Sequence, residues 1–163
     1  MEQSEKSRKL NIIDILVIVI LVAAVAFAAY KLLNRGNESL SDANALGEPN
    51  IRFTVLCDDV DPALAENILS SLSGEPMSIG GTTVEMTRLY NSNKLVDAQV
   101  VSYEAVPGTE GTSDLLLTVE ANATATPGAY SVVTQEIRIG KAYIVKTIGI
   151  ETEGVILSME KLG

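Results

Sequence analysis

A chain of 163 residues with a net charge of -9 has room for one ordinary domain and little more. It contains no histidine, no tryptophan and one cysteine, Cys57. That excludes Ser-His and Cys-His catalysis, the ordinary zinc sites and an internal disulfide. The charge is unevenly placed: residues 1–36 carry five Lys/Arg against three acids, whereas residues 37–163 carry seven against eighteen. A segment at -11 repels phosphate backbones and anionic lipid surfaces, so nucleic acid is not an expected partner.

Residues 1–9 form a short basic tail with Lys6, Arg8 and Lys9. From Ile15 to Tyr30 the chain reads ILVIVILVAAVAFAAY, apolar on every face, whereas a soluble core helix normally keeps a polar stripe. Extended to residues 10–33, a helix here is roughly 36 Å long, enough for a hydrocarbon core of about 30 Å. The expectation is one N-terminal transmembrane helix over 10–33. Tyr30 and Lys31 would sit at one interface, and Asn11 and Asp14 near the other. A competing reading is a cleavable signal peptide, with Ala26-Phe27-Ala28 as its small-residue site. The apolar run is long for that, and Asp14 interrupts its start. Three basic residues before the helix against Lys31 and Arg35 after it favour a cytoplasmic N-terminus and an extracytoplasmic C-terminal domain. An acid at the start of a membrane helix marks Asn11 and Asp14 as candidates for contact with a membrane partner. Ala24 and Ala28, four apart, are candidates for helix packing and hence for a homo-oligomer.

Residues 34–50, rich in Asn, Ser, Gly and acids, read as a flexible linker. A β-rich extracytoplasmic domain is then expected over 51–163. Ile51–Leu56 alternates as a strand. Asp61 followed by Pro62 has the form of a helix N-cap, with a short helix to Leu72 presenting Leu64, Ile68 and Leu72 on one face. Gly80-Gly81 suits a hairpin turn after Met77–Ile79, and 82–90 reads as one further strand. Strands are expected over 96–106 and 115–121. A hairpin of 135–139 with 142–150 is expected next, and a last strand over 155–159. The Ile-Gly turns at Gly80 and Gly140 suggest a weak repeat, so the domain is expected to be mainly β (α+β), a small closed barrel of two similar halves with one short helix.

The basic N-terminus, Asn11-Ile12-Ile13-Asp14 at the helix start and the late block Arg138-Ile139-Gly140-Lys141 through Gly154-Val155-Ile156 carry a resemblance. The chain resembles an uncharacterised bacterial family of single-pass membrane proteins known only as a domain of unknown function. The resemblance implies localisation and architecture and brings no functional residues with it.

The densest set of oxygen ligands is Asp58, Asp59 and Asp61, weak candidates for Ca²⁺ or Mg²⁺, but without the glycine and glutamate of an EF-hand loop. Carboxylates at a helix start need no metal to explain them. Cys57 precedes these acids, which blunt a thiol's nucleophilicity. Paired carboxylates for hydrolysis converge only in the fold, and aromatic platforms for sugars are scarce at 4%. The expected function is therefore non-enzymatic, without a cofactor. It is a membrane-anchored cell-envelope protein presenting a β-rich interaction module to an envelope protein partner. The alternative is an extracytoplasmic domain that binds or senses a cation or carbohydrate.

Overall fold

A computed structural model describes residues 46–163. The basic tail, the expected membrane helix, most of the expected linker and the residues Asn11, Asp14, Ala24 and Ala28 lie outside the described residues. Among the described residues, no helix is long and apolar enough to cross a membrane.

Strict alternation sets the architecture. In β1 (Ile51–Val60), Ile51, Phe53, Val55 and Cys57 point inward, and in β6 (Ser113–Ala121), Leu115, Leu117, Val119 and Ala121 do so. The two strands pair antiparallel with Phe53 opposite Val119 and Val55 opposite Leu117, so one face of the sheet is continuous hydrocarbon. β5 (Lys94–Pro107) adds Val96, Ala98 and Val100 on one side of this pair. On the other side β11 (Glu151–Lys161) adds Ile156 and β10 (Ala142–Lys146) adds Tyr143 and Val145. With β4 (Arg88–Asn91) the six-stranded order is β10-β11-β1-β6-β5-β4. The sheet curls into a nearly closed barrel in which the edge strands β4 and β10 approach each other. Register shifts in β1–β11 and β5–β6 place Leu157 and Val101 as unmatched residues, the kind of bulge that bends a strand.

The helix forms where its cap predicts. The Asp61 carboxylate accepts from the N–H groups of Ala63 (2.9 Å) and Leu64 (3.2 Å), and Pro62 opens α1 (Pro62–Leu72). The buried face is Ala65, Ile68 and Leu72, which join the barrel core over β5 and β6. Leu64, expected on that face, is 53% exposed. It belongs to the first turn, one position round the helix from the stripe that Ala65 begins. Phe53 and Tyr143 meet edge to face inside the barrel, ring centroids 4.9 Å apart.

Three expectations are corrected. The single strand over 82–90 is two: β3 (Thr82–Val84) pairs with β2 (Met77–Ile79), and a turn closed by Arg88 N–H on the Glu85 carbonyl separates it from β4. The hairpin 135–139/142–150 does not form. β9 (Gln135–Ile137) pairs with β8 (Ala129–Val132), which pairs with β7 (Thr124–Thr126), while β10 pairs with β11. The two Ile-Gly turns are therefore not equivalent: Gly80 joins partners in one hairpin, and Gly140 joins strands of two different sheets.

Residues 46–50 are tied to the domain. The Gly47 N–H donates to the Asp97 carboxylate at 2.8 Å, and the Asn50 carboxamide both donates to the Ala123 carbonyl (2.7 Å) and accepts from its N–H (2.8 Å).

Candidate functional site

Closing a sheet removes its edges only if the last two strands pair. Here β4 and β10 approach without entering one ladder, and the gap is bridged by the end of the β8–β9 hairpin. The bridging groups are side chains. The Gln135 carboxamide donates through Nε2 to the Ile144 carbonyl (3.0 Å) and accepts through Oε1 from the Ile144 N–H (2.8 Å). A side-chain amide thus stands where a neighbouring strand would place a peptide group. On the β4 side, Asn91 Nδ2 donates to the Thr134 hydroxyl at 3.1 Å.

Along this seam runs an open groove of about 270 Å³, lined by Tyr90, Asn91, Ser92, Gln135, Ile144 and Lys146 among others. Lys146 pairs with Glu151 at its wall. Burial holds the Tyr90 phenol above its ordinary pKa, with Arg88 opposing, so it remains a neutral hydrogen-bonding group. Beside the groove lies a wider, shallow trough of about 520 Å³ that shares Asn91 and Ser92 and is floored by Leu95, Val96 and Val133.

Two tight turns meet at this place. Asn91 pairs with Lys94 around Ser92-Asn93, and Val132 pairs with Gln135 around Val133-Thr134. Ser92 has φ 55° and Val133 has φ 53°. A β-branched residue in the left-handed region is strained, and Val133 is also 62% exposed, so neither glycine's freedom nor burial accounts for it.

The acidic candidates do other work. Asp61 caps α1. Asp59, itself at φ 54°, accepts from the hydroxyls of Thr109 (3.0 Å) and Thr112 (3.2 Å), while its N–H donates to Asp114 at 3.1 Å. Asp58 is exposed. Among the described residues no three His, Cys, Asp or Glu side chains come together as metal ligands. Cys57 is buried in the core, its thiol pushed up by desolvation against the opposing Thr152 hydrogen bond. Arg88, 2% exposed, donates to the Val96 carbonyl at 3.1 Å; burial pulls its pKa down and the Asp97 carboxylate opposes this.

None of the seam residues stood out in the sequence. In the sequence Gln135 has only the character of a strand residue, and hydrophobic periodicity carries no information on which strand a side-chain amide will meet.

Over residues 2–160 the sequence matches the family described as Domain of unknown function (DUF4330). The chain belongs to the DUF4330 family. Comparison with curated proteins and with solved structures gave no match. For a DUF4330 chain, then, the seam rather than any inherited motif is the place to look for function.

Proposed function

We propose that this DUF4330 chain is a non-enzymatic, membrane-anchored cell-envelope protein. The segment 10–33 crosses the membrane with the N-terminus cytoplasmic, and the barrel is held outside as an interaction module for a protein partner. The observation that carries the binding role is the seam: an open groove between unmatched strand edges and, beside it, a trough where an exposed Val133 is kept in a strained conformation. Strain at an exposed site costs stability without helping the core, which is reasonable where the tip meets something else. The anchor rests on the apolar run Ile15–Tyr30, and Asp14 with Asn11 is the place where the helix itself would meet a membrane partner.

The test is crosslinking and affinity capture from detergent-solubilised membranes, using the full chain, Asp14→Leu and Val133→Asn. Asn tolerates the left-handed region, so the last variant removes the apolar tip without loss of fold. A partner captured by the full chain and lost with Val133→Asn supports the seam as its site. Capture that depends only on Asp14 would move the contact to the helix, and capture indifferent to both would sink this reading.

A further inference from the structure

Resting on the reading of the barrel as an interaction module, we propose that the seam binds an extended, neutral-to-basic polypeptide segment, which adds as a strand along β10 in place of the Gln135 carboxamide. In an antiparallel ladder the backbone groups of alternate residues point to opposite sides. Tyr143 and Val145 share the side on which Thr147 donates to Ile150 and Lys141 accepts from Ile156, the side of β11. The Ile144 N–H and carbonyl face the seam, and so by alternation do those of Ala142 and Lys146. A row of three residues therefore presents strand-pairing groups along this edge of β10, two of them, Ile144 and Lys146, in the groove itself, and the Gln135 side chain binds only the middle one.

The chemistry of that contact names the occupant. Gln135 binds Ile144 with one donor and one acceptor, as the peptide group of a paired strand does. A real strand would repeat the contact at Ala142 and Lys146, while a carboxamide cannot. Strand addition draws affinity from such main-chain bonds and specificity from pockets for alternate side chains. The trough floored by Leu95, Val96 and Val133 offers an apolar side chain a place beside the groove. Residues 37–163 carry -11, which disfavours an acidic segment. Displacing Gln135 exchanges two partly exposed hydrogen bonds for equivalent ones. A strand between two others needs about 9.5 Å, and parts of β4 and β9 lie closer than that to β10, so the segment must also push the β8–β9 tip away from β10 and widen the seam.

The experiment uses the full chain in detergent and a displayed library of random dodecapeptides, panned on the natural sequence and on Gln135→Ala. Peptides recovered on either are measured on both and on Ile144→Pro. Proline there deletes an N–H that faces the seam and leaves the β10–β11 ladder its donors. The expected result is binding to the natural chain, roughly three- to tenfold tighter binding to Gln135→Ala because the competitor is gone, and at least tenfold weaker binding to Ile144→Pro. Should Ile144→Pro not fold, the gain in Gln135→Ala still decides. No selected peptide, equal affinity for Gln135→Ala and the natural chain, or a dimer of the chain itself that occupies the seam would each overturn strand addition. The interaction-module reading survives that failure if the membrane partner is still lost with Val133→Asn, since a partner can dock on the hairpin tips without pairing to β10.

Discussion

At the scale of single residues, Gly154 on β11 is held against the backbone of its neighbouring strand. A Cβ there would run into the Leu56 carbonyl and lie 2.8 Å from the Cys57 Sγ, so the backbone of β1 and its buried thiol fix this position as glycine. Gly154→Ala is expected to cost about 2 kcal/mol or more, read as a fall in the denaturant midpoint with the slope unchanged. Val133 has the opposite sign. Val133→Asn relieves a β-branched residue at φ 53° and should raise stability by about 1 kcal/mol while weakening partner capture. Tyr143 supplies a pH dependence. Burial raises its pKa far above the value of 10 for a free phenol, so the folded chain keeps its proton where the unfolded chain loses it. Its contribution is fully present below pH 10 and declines as the pH rises past that value. Tyr143→Phe should flatten the alkaline limb of stability against pH and leave the limb below pH 9 in place. An unchanged alkaline limb would show that another group governs it.

Among the elements, α1 shows how a local signal and a tertiary one divide the work. Asp61 and Pro62 start the helix whatever it packs on, and Asp61→Ala should cost about 1 kcal/mol in thermal or denaturant unfolding. Which face is buried was decided by the barrel: Ala65 rather than Leu64 begins the stripe, because β5 and β6 lie on that side. The strands β9 and β10 make the same point more sharply. Both were legible as strands, and a Gly140 at φ 83° between them looks like a hairpin turn. Period-2 alternation shows which face is apolar but not which edge meets which partner. β10 is taken by β11, with which it pairs over all five of its residues, and β9 is taken by β8. Gln135 then reaches Ile144 with its side chain alone. The outer face carries its own ties: Arg52 bridges Glu120 at 2.5 Å and Glu160 at 3.2 Å, exposed pairs that set register rather than supply much stability.

For the whole molecule, the sequence combines an apolar N-terminal run with an acidic barrel, and among the described residues Gly47 is tied to that barrel through Asp97. If 10–33 is the anchor, the full chain should stay with membranes through alkaline carbonate washing and leave them only in detergent. Cysteine introduced at exposed positions of the barrel should react with a membrane-impermeant thiol reagent in intact cells. Release by carbonate, or labelling only after lysis, would count against the anchor or its orientation. Cys57 is too buried to confuse the second measurement.

The alternation of Ile51–Cys57 and Leu115–Ala121, the Asp61-Pro62 cap, the hairpin at Gly80-Gly81 and the uneven charge are local, so the sequence by itself determined a mainly β domain with one short helix. Those features are written in neighbouring side chains and in single-residue conformational preferences. The tertiary structure decided the rest. It settled that the sheet curls until β4 faces β10, that the two strained turns meet, and that a glutamine stands in for a strand at Ile144. Each of these joins residues that are distant in the chain, through curvature accumulated over six strands, and neither propensity nor periodicity encodes where such a sheet will leave its gap.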